Sequence, residues 1–472
     1  MKRNIDNNFL ETCEKKFKED PLNIATKNAI NNIGIEISTT DCNKLNDISH
    51  IFEVSLKSKD TKATNQGASG RCWMFASLNT FRHLLIKALG LENFEFSEVY
   101  LFFWDKFERS NSYLRWFIKN RHLKASEKPV EYMLTSYMND GGWWNTFANL
   151  AEKYGLIPKD VMKPTFQSED SGDMNFIIEE KLNSTVNYIL KNKKLTDFEL
   201  EKIRMDTLED IYSILVKTLG EPPKTFTWCF RDEDDNHITM RDMTPLKFKE
   251  MVIPEINLSR DFNVLCNIPK ETGLKYGNLY RILETNNVQE GVNCVLYNTD
   301  IEELAKHAMK SIDNGVSVWF VGDVSKGFNH YHSVLDDNLQ NTEVVFGKNK
   351  PFSKGERILL RNVEGNHAMA LTGYSLDKKG RVKSWQVENS WGYWDYETPG
   401  LDGFLYMSHD WFKKYITQIV VHKELLSRTI SKNIKKGIIK DINPWDCVAP
   451  ALMAKPVNPP KNYQNLHKKR QV

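Results

Sequence analysis

Apolar residues recur at helical spacing after Cys72, and the run stops at Gly90. The positions that share this stripe are Met74, Phe75, Leu78, Phe81, Leu84, Leu85, Ala88 and Leu89. Spacings of three and four residues place side chains on one face of an α-helix, and a glycine just past the last one is typical of a helix C-terminus. The pattern therefore predicts a long, amphipathic helix that starts at a cysteine.

The remainder of the chain shows three different patterns. The first 60 residues are polar, with apolar positions at mixed helical spacing, which predicts a helical arm on the outside of the core. Between residues 94 and 300, aromatic-rich helical patterns are interrupted by glycine and proline, as at Gly141-Gly142 and Pro222-Pro223. From about residue 310 onward, apolar runs predict strands.

The composition indicates a folded chain with balanced charge. Apolar residues make up 40% of the 472 positions, enough for a large core. Lys and Arg number 64 against 62 Asp and Glu, so the formal charge of +2 gives no global field that would recruit nucleic acid or anionic lipid. Seven widely scattered cysteines, an odd number, argue against a disulfide framework.

The N-terminal residues do not have the pattern of an export signal. Residues 1–8 lack an apolar h-region, and no run approaches the roughly 18 apolar residues of a membrane span. We therefore expect a cytoplasmic protein with no membrane contact.

Cys72 stands where a glycine-rich turn, residues 66–71, runs into the predicted helix. Unpaired backbone N–H groups and the positive end of the helix dipole at such a junction favour a thiolate and so lower the thiol pKa. This placement indicates a cysteine-dependent acyl-transfer enzyme. The competing interpretation is an inert buried cysteine, which is commoner before an apolar helix.

The rest of the chain supplies a base, an orienting group and an oxyanion donor. His367 enters a strand-like run and is the candidate general base, and Asn389 follows a second such run, where it can accept a hydrogen bond from the far ring nitrogen of His367. Trp391 could shield that bond from water. The side-chain amide of Gln66, beside the Cys72 backbone N–H, can donate to a developing oxyanion. Each residue alone has an ordinary structural explanation, so the inference depends on all of them occurring in this order.

These residues resemble the signature of the papain-like cysteine peptidases, in segments 66–76 and 387–392. Two departures are informative. Ser69 replaces the first cysteine of that signature, so the disulfide that secreted members form there is excluded. Cys72 and His367 lie 295 residues apart, against roughly 130–150 in the secreted enzymes, so a large insertion separates the two halves of the site.

Arg71, directly before the nucleophile, points to the bleomycin hydrolase and bacterial aminopeptidase C branch of that group. Further matching segments are 94–97, 100–106, 140–143, 152–158 and 318–320. The resemblance implies an α+β fold: a papain-like two-lobed core, built from the nucleophile helix and an antiparallel sheet or barrel, with a large helical insertion and an N-terminal arm. It also implies no cofactor and no metal, a cytoplasmic setting, and a homohexamer whose active sites face an internal cavity.

The activity implied by the resemblance is that of a cysteine aminopeptidase, which removes N-terminal residues of peptides through a thiol acyl-enzyme and also acts on bleomycin-type amides. Extended peptides bind such clefts through main-chain hydrogen bonds, and glycine allows a close approach. Gly141 and Gly142 are therefore assigned to substrate binding, although Gly-Gly on its own predicts an ordinary turn.

The predicted domain organisation has one interrupted catalytic core with added arms. Its six parts are an N-terminal arm (1–60), the helical lobe with the nucleophile helix (61–93), a mainly helical insertion that includes the Gly-Gly segment (94–300), a β-rich lobe with the candidate His and Asn (301–430), a C-terminal arm (431–454) and a disordered extension (455–472).

The C-terminal stretch is where the resemblance is weakest. In the family the chain ends in the substrate cleft, and its terminal carboxylate meets the amino group of the substrate, which explains exopeptidase behaviour. Here the corresponding stretch, 445–454, is followed by 18 further residues rich in Pro, Asn and Lys. Either this extension is trimmed, or the selecting carboxylate is missing.

Rival interpretations and weaker patterns remain open. A transglutaminase-like acyltransferase also uses Cys and His but has an aspartate as third member, and a cysteine endopeptidase would lack N-terminal selection. A third rival is a vestigial assembly or nucleic-acid-binding protein. His330 and His332, two positions apart, have a weak metal-ligand pattern. Basic clusters at 432–440 and 467–470 fit a solvated face and tail, although the resemblance allows nucleic-acid binding as a side activity.

Overall fold

The computed structural model describes residues 4–58, 61–393 and 402–452. The predicted extension, 455–472, and the end of the predicted C-terminal arm, 453–454, lie outside the described residues. No helix in the described ranges combines the length and apolarity needed to cross a membrane.

The described residues form α-helices throughout the chain and strands mainly in its second half. The α-helices are α1 (Asn7–Glu19), α2 (Pro21–Thr39), α3 (Cys42–Asn46), α4 (Cys72–Leu89), α5 (Glu98–Lys119), α6 (Lys128–Ser136), α7 (Trp144–Tyr154), α8 (Phe166–Glu169), α9 (Gly172–Lys191), α10 (Asp197–Leu219), α11 (Pro245–Val252), α12 (Leu258–Asp261), α13 (Ile301–Asp313), α14 (Thr342–Phe346), α15 (Lys354–Leu359), α16 (His409–Tyr415), α17 (Arg428–Lys436) and α18 (Ala449–Leu452). Short 3₁₀ turns are at Lys159–Val161, Lys270–Thr272 and Lys423–Leu425.

The strands are β1 (Val54–Ser55), β2 (Phe226–Arg231), β3 (His237–Met243), β4 (Phe262–Cys266), β5 (Leu279–Ile282), β6 (Val295–Asn298), β7 (Val318–Gly322), β8 (Phe328–Asn329), β9 (Val334–Leu335), β10 (His367–Leu376), β11 (Val382–Glu388), β12 (Phe404–Ser408), β13 (Ile416–His422) and β14 (Ile439–Ile442). All except β2 and β3 join one large sheet. Its order is β14-β5-β6-β4-β13-β7-β10-β11-β12-β9-β8, with β1 added on β10. The five central strands, from β13 to β12, pair antiparallel.

The hairpin of β10 and β11 sets the position of the candidate base. Its register pairs Ala370 with Glu388, so the residues just before Ala370 and just after Glu388 lie at the same end of the hairpin. His367 is the first residue of β10 and lies opposite Gly322 of β7. Because antiparallel neighbours bring such ends together, His367 and Asn389 become adjacent although they are distant in the chain.

The apolar helix predicted after Cys72 is confirmed as α4. It begins at Cys72 and ends at Gly90, whose φ of 58° is the left-handed conformation that favours glycine. The helix packs against β10 and β7, and the backbone oxygen of Trp73 accepts a hydrogen bond from the Trp319 indole at 3.2 Å.

A buried ion pair fixes the far part of α4 to the sheet. Arg82 Nη1 contacts Glu388 Oε1 at 2.7 Å, and His83 Nε2 contacts Glu388 Oε2 at 2.8 Å, with the side chains of Arg82 and Glu388 fully buried. Since Glu388 directly precedes Asn389, these contacts hold α4 close to the candidate orienting residue.

The predicted helical stretches between residues 94 and 300 are present as α5 to α12. The same range also supplies β4, β5 and β6 to the large sheet and forms the separate β2–β3 hairpin. The sequence pattern did not reveal these strands, because short apolar runs in a buried strand and in a buried helix look alike. The assignment of this range to a single insertion stays a prediction.

Candidate active site

Cys72 is the first residue of α4, and it has no exposed surface. Burial raises the pKa of its thiol to about 11, although the backbone N–H groups of Ala368, Trp73 and Cys72 itself act in the opposite direction. The helix N-terminus is therefore present as the sequence predicted, but its effect on the pKa is outweighed by the loss of water. Contact with the Ala368 N–H places the sulfur beside the start of β10, where His367 lies.

His367 is held by Asn389. The ring Nε2 of His367 lies 2.7 Å from Oδ1 of Asn389, and the Ser390 N–H donates to the same oxygen at 2.8 Å. Because that oxygen only accepts, Nε2 carries the ring hydrogen, and Nδ1 keeps its lone pair in the neutral ring. Nδ1 is buried and has no hydrogen-bond partner among the described residues. It is the nitrogen available to a thiol.

Burial also governs the titration of His367. The loss of water lowers the pKa of this imidazole to about 4, while the hydrogen bond to Asn389 favours the protonated ring. Thiol and imidazole are thus each neutral when taken alone at neutral pH. A proton passing from the sulfur to Nδ1 would create two opposite charges, and their attraction would oppose the cost of burying them.

Trp391 covers the histidine. Its ring centroid lies 4.7 Å from that of His367, and its side chain is almost completely buried. The ring of Phe328 also packs near Trp391, with 5.8 Å between the ring centroids. A buried ring in this place is compatible with the predicted shielding of the His367–Asn389 bond from water, which stays a prediction.

Gln66 is tied to the segment that carries Asn389. Its Oε1 accepts from the Ser390 hydroxyl at 2.6 Å, and its backbone N–H donates to the Ser390 carbonyl at 2.8 Å. Its Nε2 donates one hydrogen to the Ser69 carbonyl at 2.6 Å. A primary amide has two such hydrogens, and the other has no partner among the described residues, so it is free to meet an oxyanion.

In the Gly141–Gly142 pair, the main-chain polar groups of Gly141 already form hydrogen bonds, whereas those of Gly142 form none among the described residues. The Gly141 carbonyl accepts from Arg109 at 2.7 Å, and its N–H donates to Asn139 at 2.7 Å. Within the described ranges no hydrogen bond uses the main chain of Gly142. A Cβ on Gly142 would lie 2.6 Å from the Trp73 ring, so packing against the nucleophile helix also requires glycine there.

The C-terminal arm reaches this side of the site. The Leu452 carbonyl accepts from the Trp143 indole and from Gln418 Nε2, both at 2.9 Å, and the Pro450 carbonyl accepts from the Gly365 N–H at 2.9 Å. A cavity of about 660 Å³ lies alongside, and Gly141, Trp143 and Pro450 are among its lining residues. The arm therefore adjoins both the Gly-Gly segment and the start of the His367 strand.

Asp140 is a residue that the sequence did not single out. Its carboxylate contacts Lys106 at 2.6 Å, accepts from Ser171 at 2.5 Å and Asn175 at 2.8 Å, and lies 3.3 Å from the Gly70 N–H. Burial alone would raise the pKa of Asp140, but Lys106 and the hydrogen bonds hold it well below its usual range. The sequence offered one clue to Asp140, which is its position directly before Gly141. Asp140 links the glycine pair to the turn that precedes Cys72.

Of the two histidines with a weak metal-ligand pattern, His330 has a carboxylate contact of its own. His330 Nδ1 lies 2.9 Å from a carboxylate oxygen of Glu36, in the N-terminal arm. In the ranges 4–58, 61–393 and 402–452, no group of three or more His, Cys, Asp or Glu is arranged to hold a metal ion.

Replacing His367 by alanine should change how Cys72 titrates. Without the imidazole, the thiol loses its candidate proton acceptor, while the burial that already raises its pKa in the intact chain remains. A raised pKa means that thiolate forms only at higher pH. We expect alkylation of Cys72 by iodoacetamide at pH 7 to fall at least about 100-fold, and its rate to rise continuously toward pH 11. Mass spectrometry of the alkylated peptide measures this, and an unchanged rate profile would contradict the pairing.

The mixed fold and a buried Cys, His and Asn that converge from three segments are features of papain-like cysteine peptidases. The comparisons agree. The model of the Peptidase C1-like family matches residues 4–449, and the chain belongs to this family. The predictions of a papain-like α+β fold and of a cysteine peptidase are thereby confirmed.

Individual relatives cover most of the chain. Aminopeptidase E of Lactobacillus helveticus is 32% identical over 441 residues, which span 93% of this chain and 98% of that protein. Human bleomycin hydrolase is 36% identical over 383 residues, covering 79% of this chain and 83% of that protein. The crystal structure of PepW from Lactobacillus rhamnosis HN001 superposes with a TM-score of 0.88 at 32% identity, covering 94% of this chain and 99% of that one.

Proposed function

We propose that the protein is a cysteine aminopeptidase in which Cys72 is the nucleophile. Its sulfur attacks the carbonyl carbon of the scissile amide while His367 Nδ1 takes the thiol proton. The same imidazole then protonates the leaving amine, and water, activated by His367, hydrolyses the thioester. Asn389 keeps the imidazole upright, and Gln66 with the Cys72 N–H stabilises the oxyanion.

One observation carries this assignment: the contact between His367 Nε2 and Asn389 leaves Nδ1 free and buried next to the strand residue whose N–H touches the Cys72 sulfur. An inert cysteine and a satisfied core histidine would not need this arrangement. The second hydrogen of the Gln66 amide supports the oxyanion role, since it has no partner among the described residues.

Selection for a free N-terminus is supported by the relatives, which are named aminopeptidases and bleomycin hydrolases. It is also supported by the C-terminal arm, whose Leu452 binds Trp143 beside the glycine pair. An arm at this position leaves less room for substrate residues on the N-terminal side of the scissile bond. For the substrate main chain, we propose Gly142 as the hydrogen-bonding residue, because the polar atoms of Gly141 are already used.

A comparison of free and blocked substrates tests the aminopeptidase assignment. We expect peptides with a free N-terminal amine to be cleaved with a kcat/KM at least about 100-fold above that of N-acetylated counterparts, which is about 2.7 kcal/mol of discrimination. The measurement should be made on the full chain and on a chain ending at Ala454. Equal rates for both substrates in both chains would favour a cysteine endopeptidase or another Cys-His acyltransferase.

A vestigial assembly or nucleic-acid-binding protein is the remaining alternative, and it predicts no selective labelling of Cys72 by a thiol-directed peptide electrophile. The cytoplasmic setting, the homohexamer and action on bleomycin-type amides rest on the resemblance and are part of the proposal. The basic cluster at 432–440 is assigned to a solvated surface, with nucleic acid only as a secondary partner, and the cluster at 467–470 lies outside the described residues.

A further inference from the structure

We propose that Arg71 is a positioning residue that holds the oxyanion loop, defined as residues 66–70, in its working shape. The inference rests on the proposed function, because it assigns Arg71 to the support of Gln66. The guanidinium Nε donates to the Ser69 hydroxyl at 2.9 Å, and Nη2 donates to the Gln66 carbonyl at 3.3 Å. Arg71 thus contacts both ends of the turn that carries the oxyanion donor.

Two further hydrogen bonds join Gln66 and Ser69 across this turn. The Ser69 hydroxyl donates to the Gln66 carbonyl at 2.6 Å, and the Gln66 side chain donates to the Ser69 carbonyl at 2.6 Å. The direction of the Gln66 Nε2 hydrogen that is left for an oxyanion is therefore set by Ser69 together with Ser390, whose hydroxyl donates to Gln66 Oε1. Because Arg71 anchors the Ser69 hydroxyl, its loss should let the amide rotate away from the sulfur.

Arg71 is buried between two helices, and this packing holds it in place as a support for the loop. Its residue exposure is 2%, and its guanidinium lies 5.2 Å from the ring centroid of Phe75 and 5.0 Å from that of Phe102. Phe75 belongs to α4 and Phe102 to α5, so the guanidinium is packed between two helices. Burial lowers the pKa of Arg71 to about 10, and attraction to Glu98, Asp140 and Glu169 opposes this, so the group stays cationic at neutral pH.

The alternative role for a cation beside a nucleophile is to stabilise the thiolate by its charge. The contacts favour the loop, since no hydrogen bond in the described residues joins Arg71 to the Cys72 sulfur. They also favour arginine over lysine. A guanidinium presents several N–H groups in a flat fork, whereas an ammonium is a compact point charge that cannot meet the hydroxyl and the carbonyl with the same geometry.

A double-mutant cycle on the full chain tests the inference, with kcat for a free-amine peptide substrate as the readout. Gln66→Ala should lower kcat about 100- to 1000-fold, the usual loss for one oxyanion donor. Arg71→Met should lower kcat at least about tenfold with little change in KM, because the donor acts only in the transition state. In the Gln66→Ala background, Arg71→Met should cost less than about threefold, since its effect passes through Gln66.

Arg71→Lys separates geometry from charge. We expect it to be as slow as Arg71→Met, while the pH profile of Cys72 alkylation stays that of the unmodified chain in both variants. A normal kcat in Arg71→Lys, or a shifted alkylation profile, would show that the charge matters and would overturn the inference. If Arg71→Met fails to fold, Ser69→Ala, which removes the anchored hydroxyl, takes its place in the same cycle, with at least a threefold loss expected alone.

The activities of Gln66→Ala and of the double variant distinguish the oxyanion role of Gln66 from the support role of Arg71. Full activity in Gln66→Ala would refute the oxyanion role of Gln66 within the proposed function, and with it the support role. If Gln66→Ala is slow and its loss of kcat multiplies with the loss in Arg71→Met, the proposed function remains intact. Only the inference about Arg71 is then refuted.

Discussion

Cys72→Ala is expected to lower peptide hydrolysis at least about 10⁴-fold, to the limit of detection. The variant removes the only atom that can form the thioester, so His367 has no thiol proton to accept and Gln66 no covalent adduct to stabilise. Alanine is smaller than cysteine and is a good helix former, so the start of α4 should keep its shape and the fold should survive. Turnover of a free-amine substrate measures the loss, and circular dichroism checks the fold.

Cys294→Ala provides a matched control, because Cys294 is also a buried free cysteine and burial raises the pKa of its thiol to about 12. It belongs to the loop before β6, and we expect normal turnover in this variant. Retained turnover in a pure Cys72→Ala preparation would refute the nucleophile assignment, whatever the result for Cys294→Ala.

Glu388→Gln is expected to destabilise the protein by about 3–5 kcal/mol, the usual cost of leaving a buried charge without its partner. The substitution keeps the shape of the side chain but removes the negative charge that faces Arg82 and His83. Arg82 would stay buried but would lose its carboxylate partner. Urea unfolding followed by tryptophan fluorescence measures the change, and activity should fall with it because Asn389 follows Glu388 directly.

Because of the Glu388 carboxylate, the stability of the protein is expected to depend on pH. Burial would raise the pKa of Glu388, but His83 and Arg82 lower it below its ordinary value. A lowered pKa in the folded state means that the stabilisation is present above the ordinary carboxyl pKa and is lost as the pH falls through the folded value. We expect Glu388→Gln to remove this part of the acid sensitivity, so the stability difference between the two chains should shrink at low pH.

Asp206→Asn is the control for an ion pair at the surface. Lys202 and Asp206 lie 3.3 Å apart with side chains 68% and 61% exposed, and such pairs contribute only about 0.2–1 kcal/mol. A loss in Glu388→Gln no larger than in Asp206→Asn would show that the buried pair does not hold α4 to the sheet.

The sequence predicted more of the candidate site than of the fold around it. Gln66, Cys72, His367 and Asn389 each stand in a short local pattern, and chemistry restricts which residue types can serve as nucleophile, base, orienting amide and donor. The strands β4, β5 and β6 were not predicted, because a short apolar run has no period that separates strand from helix. Asp140 and Glu388 were missed because their partners, Lys106 and Arg82, are remote in the chain.

The sequence by itself determined the apolar helix that begins at Cys72, its end at Gly90 and the set of residues able to perform thiol chemistry, because these depend on neighbours a few positions apart. Only the tertiary structure decided that His367 meets Asn389, that Ser390 and Arg71 form hydrogen bonds with Gln66, and that burial raises the pKa of the Cys72 thiol. The physical reason is that desolvation and hydrogen bonding between distant segments depend on the packing of the whole chain, and no local pattern records how much water that packing excludes.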